Sequence, residues 1–339
     1  MKGYKSENIR NVALVGHGGS GKTTFLEAAL LATGVISRLG KVEDGNTVSD
    51  HDKMEIEKGY SISTSIVPVE YNNVKINFVD TPGFFDFVGE VNSALRAVEA
   101  AAILVDASAG IQVGTEKAWN SCKEFGIPKF FLINKTDKDN VDVDKVIADL
   151  KDKFGTSVVT LDDKEAMTEA IAETDEVLME KFFSGEEFTD DEFNHGLSHG
   201  IGSGDIVPVL ACSSVKGDGI TDVLDDFIKF VPTPAEHEDY DAKNDADEDI
   251  KIKVDPAGKP AAFVFKTIAD PFLGKISLAK VISGTLKSGQ EIYNARAQKS
   301  EKLGSMFFMR GKNQVEAPVV EAGDIVAIAK LQFTKTGDT

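Results

Sequence analysis

Gly16-His17-Gly18-Gly19-Ser20-Gly21-Lys22-Thr23 matches the pattern G-x-x-x-x-G-K-[ST]. The five residues before it, Asn11-Val12-Ala13-Leu14-Val15, form a short apolar run. The residues after it, Lys22 to Ala32, carry a helical pattern that Gly34 is placed to end. Between a strand and a helix, such glycines let backbone N–H groups turn inward around phosphates at the positive helix N-terminus. In that reading Lys22 reaches the β and γ phosphates, the Thr23 hydroxyl ligates Mg²⁺, and Thr24 completes the loop's contacts. Gly16, Gly18 and Gly21 also satisfy G-x-G-x-x-G, the dinucleotide fingerprint, with Glu43 or Asp44 as its ribose acid. The Lys22-Thr23 pair favours the mononucleotide reading but leaves the base open.

Outward from this loop, residues 1–235 read as alternating strands and helices. Ile66 to Tyr71 and Val74 to Val79 are extended runs joined by Asn72-Asn73, a pair that tolerates left-handed backbone and predicts a tight hairpin. Apolar runs follow at Ala101 to Val105, Lys129 to Ile133 and Ile206 to Ala211, separated by helical patterns such as Val88 to Glu99 and Glu116 to Phe125. The alternation predicts an α/β domain whose sheet is mostly parallel with one antiparallel strand. A helical insertion is expected at about residues 140–204, acidic and without an evident strand from Asp162 to Ser198. Glu236 to Asp249 holds eight acids against one lysine and reads as a solvated linker, taken to span 236–258. It has no glycine where a calcium loop needs its turn. From 259 to 339 the texture is short β runs punctuated by glycine: Ala261 to Lys266, Ile276 to Ile282, Gln290 to Asn294 and Asp324 to Ala329. That spacing predicts a small all-β barrel.

Three further boxes resolve the base. Asp80-Thr81-Pro82-Gly83 ends a strong strand and resembles the D-x-x-G box of GTPases. There the carboxylate serves Mg²⁺ and the Gly83 N–H meets a γ-phosphate. Asn134-Lys135-Thr136-Asp137 resembles N-K-x-D. Asp137 can accept from both N1–H and N2–H₂ of guanine, a pattern adenine lacks, while Asn134 fixes the loop and the Lys135 stem lies along the base. Ser213-Ser214-Val215-Lys216 follows the last α/β strand, where GTPases carry a loop touching guanine O6. The segment Asp50 to Ile62 resembles the D-x-x-x-x-E-R-G-I-T-I switch of translational GTPases, with Ser61 where the family's Mg²⁺-binding threonine stands. Such a segment orders around the γ-phosphate and relaxes after hydrolysis.

Taken together the chain resembles elongation factor G over nearly its whole length. The likeness includes Ala172 to Lys181, the exit Phe230-Val231-Pro232-Thr233-Pro234, the run Phe265 to Lys275, Ser283 to Leu286 and Ala322-Gly323-Asp324. The resemblance implies GTP hydrolysis with Mg²⁺ on the ribosome, near the large-subunit RNA of its GTPase centre, and further domains after Thr339. It implies Lys22 and Gly83 as catalytic groups. Three residues depart from the family pattern: Phe84 stands where a water-positioning histidine is usual, and Gly18 and Gly19 replace an isoleucine and an aspartate. Losing such a histidine would slow hydrolysis about 10²- to 10⁴-fold. The alternatives are a non-hydrolysing GTP-dependent switch and a ribosomal-protection or release-factor GTPase.

Composition bounds the rest. Acids outnumber bases 56 to 37 and the formal charge is −19, which argues against a DNA-binding or RNA-coating surface. No run approaches the roughly 18 apolar residues of a membrane span. Residues 1–10 are polar without a secretory core, and two cysteines make no disulfide framework, so a cytoplasmic protein is expected. His195 and His199 stand at i, i+4, the spacing of a metal pair, but acidic neighbours and no third ligand favour an exposed helix face.

Overall fold

The computed structural model describes residues 3–237, 239–244, 248–271 and 273–339. Glu238 and residues 245–247 of the acidic run, and Phe272 of the run Phe265 to Lys275, lie outside these.

The first part runs β1 (Ile9–Gly16), α1 (Lys22–Ala32), α2 (Lys53–Lys58), β2 (Ser65–Tyr71), β3 (Val74–Asp80), α3 (Val88–Leu95), β4 (Ala100–Asp106), α4 (Val113–Glu124) and β5 (Lys129–Asn134). It continues with α5 (Val143–Phe154), β6 (Val158–Thr160), α6 (Lys164–Ala172), α7 (Glu176–Ser184), α8 (Asp190–Ser203), β7 (Val207–Ala211) and α9 (Ile220–Phe230). The strands form one seven-stranded sheet in the order β2-β3-β1-β4-β5-β7-β6. The sheet is covered on both faces, so β1, β3, β4 and β5 are buried along nearly their whole length, and β4 and β5 read as near-continuous apolar runs. Only β2 is antiparallel, paired to β3. Asn72 and Asn73 take φ of 48° and 62°, the left-handed pair that a two-residue turn of this hand needs. In register, Leu14 lies beside Asp80, Gly16 beside Leu104 and Asp106 beside Asn134, so these strands end on one common edge.

Three expectations shift. The helix expected over Val88 to Glu99 ends at Leu95, because the Glu99 N–H already bonds to the Asn11 carbonyl as the chain enters β4. The insertion expected at 140–204 is not helical throughout: β6 pairs in parallel with β7 and extends the sheet edge. Val158, Val159 and Thr160 are β-branched, but three residues are too few to show periodicity. The helices after it, α6 to α8, begin on side-chain caps from Asp163, Asp175 and Thr189. The acidic run is also not plain linker. It contains an antiparallel hairpin, β8 (Tyr240–Lys243) with β9 (Asp249–Ile252), and Tyr240 stacks on His237 at 4.3 Å.

The remaining part is all β: β10 (Ala261–Asp270), β11 (Gly274–Ser283), β12 (Thr285–Lys287), β13 (Glu291–Asn294), β14 (Lys299–Lys302), β15 (Met306–Arg310), β16 (Asn313–Glu316), β17 (Val319–Glu321) and β18 (Ile325–Ala329). Its pairings are antiparallel, in a sheet ordered β10-β11-β18-β15-β16 with ribbons β12-β17 and β13-β14. One face of the sheet packs Val264, Ala279, Val281, Phe308, Val326 and Ile328 into the domain's own core. The other face sets Phe265, Leu278, Phe307 and Ile325 into the same cluster as Val15, Ile66, Val79 and Leu95 of the α/β domain.

A buried polar chain crosses that joint. Lys280 pairs with Glu99 at 2.5 Å, and the Asn11 amide donates to Glu99 at 2.7 Å. Asn77 donates to Asn11 and to Asp324, which holds Lys75 at 2.8 Å. All six side chains are buried. Charges survive out of water here only because each ammonium and carboxylate has several partners.

Candidate nucleotide site

The loops leaving β1, β3, β4, β5 and β7 at the common edge bring the quoted motifs together. In an open α/β sheet this carboxyl edge is where ligands are held. Gly16, Gly19 and Gly21 have φ of 131°, 81° and 95°, and α1 begins directly at Lys22. Lys22 is buried and donates to the carbonyls of Gly16 at 3.2 Å and His17 at 3.0 Å. Thr24 lies half-buried on the first turn of α1. Ser20 Oγ and His17 Nδ1 are buried without a hydrogen-bond partner among the described residues.

Beside the loop stands a cluster of oxygens. Thr23 Oγ1 lies 3.1 Å from Asp80 Oδ2, 3.4 Å from Asp50 Oδ2 and 3.4 Å from Ser61 Oγ, and the Ser49 hydroxyl donates to Asp80 at 2.8 Å. Asp80 Oδ1 is buried and has no partner among the described residues. Burial pushes the Asp80 carboxyl up to about 7, with Asp50 adding to the rise and Lys22 opposing it. Burial likewise brings the Lys22 ammonium down to about 8. Two crowded carboxylates, one with an orphaned oxygen, and three hydroxyls are the hard oxygen donors that Mg²⁺ takes.

Gly83 sits directly on the loop. A Cβ there would lie 2.6 Å from both the Gly18 nitrogen and Lys22 Nζ, so no other residue fits. Phe84 is 45% exposed, its ring 4.6 Å from that of Tyr60, and a Cβ on Gly18 would lie 3.4 Å from Phe84 Cζ. The phenylalanine thus fills the space in front of Gly18, so two of the three departures from the family pattern lie side by side.

At the other end, Asn134 ties loops together. Its amide nitrogen donates to the carbonyls of Ser20 and Gly21 at 3.3 Å, and its oxygen accepts from the Ser214 N–H at 3.1 Å and Ser214 Oγ at 2.9 Å. Lys135 has φ of 66° and reaches Asp106 at 2.7 Å and the Gly19 carbonyl. Ser213 Oγ donates to Asp137 at 2.6 Å, fixing that carboxylate, while Val215 is exposed beside it. His195 and His199 are exposed on α8, away from this edge, with rings 6.3 Å apart. No helix is long and apolar enough to cross a membrane among the described residues.

Residues 7–233 match the family model described as the elongation factor Tu GTP-binding domain. The chain belongs to that family. Residues 259–339 match the model for elongation factor G domain 2. The chain is 30% identical to an elongation factor G of Neorickettsia sennetsu, over 98% of its own length and 55% of that relative's. It superposes on a crystal structure from Thermus thermophilus with a TM-score of 0.84 at 29% identity, covering 98% of this chain and 54% of that one. The chain therefore spans about half the length of these relatives.

Within this GTP-binding domain the sequence reading missed some of the residues gathered here. Asp50 stands inside the quoted switch segment at a position with no distinguishing pattern, and Ser49 precedes it. Asp106 ends β4 as Asp80 ends β3, so the same strand-end argument could have found it. Burial opposes its ionisation, but hydrogen bonds from Lys135 and Ser108 bring its carboxyl down to about 2. Glu27 of α1 is buried and accepts the N–H groups of Gly40 and Val48, anchoring the loop that leads into the switch segment. A lone glutamate on an apolar helix carries no signal of that role.

Proposed function

We propose that this chain binds GTP with Mg²⁺, hydrolyses it to GDP and phosphate, and does so on the ribosome as an elongation factor G-like translation factor in the cytoplasm. The observation that carries the reading is the meeting of two sets of side chains around one phosphate loop. Lys22, Thr23, Ser61, Asp80 and Gly83 lie on one side. Asn134, Asp137, Ser213 and Ser214 lie on the other.

Gly16 to Thr24 would wrap the α and β phosphates with backbone N–H groups, and Lys22 would leave its carbonyl partners for the β and γ oxygens. Thr23, Ser61 and Asp80 would hold Mg²⁺, with Asp50 and Ser49 behind them. When bound, the ion neutralises charge building on the β and γ oxygens. The Gly83 N–H would meet the γ-phosphate. Asp137, steadied by Ser213, would accept both guanine donors, and the loop of Ser214 and Val215 would cover O6.

A second reading rests on Phe84, whose ring can neither orient water nor carry a proton. In that reading the chain is a switch that hydrolyses GTP slowly. Equilibrium titration with GDP, ADP and NAD tests binding, and tight NAD binding without GDP binding would sink the proposal. Single-turnover hydrolysis with and without ribosomes separates the two readings. Strong stimulation supports the first, and GTP binding without stimulation supports the second.

A further inference from the structure

Lys266 is the one side chain of the all-β domain that reaches both segments flanking the γ-phosphate end of the site, among the described residues. It projects from β10 and hydrogen-bonds Ser63 Oγ, the Thr64 carbonyl at 3.1 Å and the Glu90 carboxylate. Ser63 and Thr64 directly follow the switch segment that carries Ser61, and Glu90 lies in the first turn of α3, which follows Gly83 and Phe84. The two segments also meet through this node, since the Thr64 N–H donates to Glu90 at 2.6 Å.

The aim of Lys266 is built into the strand. Val264 pairs with Ala279 and Lys266 with Leu278, so two residues of β10 oppose one of β11, a bulge at Phe265. Strict alternation would put Lys266 on the same face as Val264, inside the β domain's own core. The bulge turns it instead to the side of Phe265, toward the α/β domain. Burial draws the Lys266 ammonium below its usual value, and the Glu90 charge opposes that fall. Burial raises the Glu90 carboxyl, but Lys266 and the Thr64 bonds bring it below the ordinary glutamate value. A second contact supports the first: the Gly311 turn of the β domain lies against the Val48 carbonyl, with no room for a side chain.

We infer that Lys266 is a positioning residue for triphosphate binding, holding the segments that carry Ser61 and Gly83 in one arrangement from outside the nucleotide domain. The inference rests on the GTP-binding reading above. A triphosphate uses contacts from Ser61 and Gly83 that a diphosphate does not. Releasing both segments makes triphosphate binding bear the cost of ordering them, while diphosphate binding stays as it was.

The test is the affinity of the chain for fluorescent GDP and for a fluorescent non-hydrolysable GTP analogue, in Lys266→Met and in Glu90→Gln, which keeps the side-chain shape. Both variants should lose about ten-fold in triphosphate affinity with GDP affinity unchanged, within the usual range of coupling between sites. Lys266→Arg should restore part of the preference. Arg310→Ala removes an interface bond to the Pro68 carbonyl of β2, touching none of Ser63, Thr64 and Glu90, and should leave the ratio of affinities unchanged. An unchanged ratio in Lys266→Met and Glu90→Gln, or an equal fall for both nucleotides, overturns the inference while leaving the GTP-binding reading intact. Failure of the unaltered chain to bind either nucleotide overturns both.

Discussion

Asp137 receives the Ser213 hydroxyl at 2.6 Å, which leaves its other carboxylate oxygen and remaining lone pairs for a base. Asp137→Asn replaces an acceptor with a donor where guanine itself donates. Hydrogen bonds to charged groups are worth about 1.5–3 kcal/mol each. GDP affinity should therefore fall on the order of 10²-fold or more while xanthosine diphosphate affinity rises, as competition titration would read. Guanine preference that survives the change would remove Asp137 from that role. At Phe84 the expectation runs the other way. Phe84→His supplies a group able to orient water, and stimulated single-turnover hydrolysis should rise, with about 10²- to 10⁴-fold as the span for such groups. Tyr60 and Gly18 already line that ring, so the histidine enters a space shaped for an aromatic plane. A flat response would mean that the water is positioned by another group. The motifs themselves are legible in sequence because phosphate and guanine each demand particular atoms at fixed loop positions. Asp50 is harder to read, since an isolated aspartate is common in any loop segment, whereas Asp106 is open to the strand-end argument that singles out Asp80.

Helix α9 shows how one element can hold a titrating group against the core. Its core side presents Val223, Leu224, Phe227 and Phe230, and Phe227 meets Phe25, Phe78 and Phe130 in a cluster of aromatic contacts. Burial pushes the Asp226 carboxyl on the same helix up to about 6, with Lys229 opposing. A folded value above the unfolded one makes the group's contribution to stability largest at low pH. That contribution is lost as pH rises through about 6. Asp226→Asn should accordingly gain stability over the parent as pH goes from 4 to 7, with the difference level above that, as denaturant midpoints at several pH values would show. A difference independent of pH would point to packing instead. Helix α1 matched its expected bounds because eleven residues display a full pattern. β6 and the β8–β9 hairpin did not, because three or four residues show no period and the acids of the run mask the pairing.

Across the whole molecule the two domains share one apolar cluster and one buried polar chain. Asp324→Ala would leave the Lys75 ammonium, fully enclosed, without its carboxylate. Breaking such a pair costs about 3–5 kcal/mol. Scanning calorimetry of the unaltered chain should show a single transition for both domains, and the variant should melt at markedly lower temperature or in two steps. Two separate transitions in the unaltered chain would mean that the joint is not what holds them.

The sequence by itself determined the GTP-binding-domain family, the α/β order and the β character of residues 259–339. Each of these is written in local patterns of glycine, charge and apolar spacing. Only the tertiary structure decided that Asp50 joins Thr23 and Asp80, that Phe84 covers Gly18, and that Lys75, Lys266 and Lys280 of an acidic chain are buried at the domain joint. A lysine has the same helix or strand pattern whether it faces water or a carboxylate from a distant strand. What distinguishes the two is which surfaces meet, and that is settled by long-range packing.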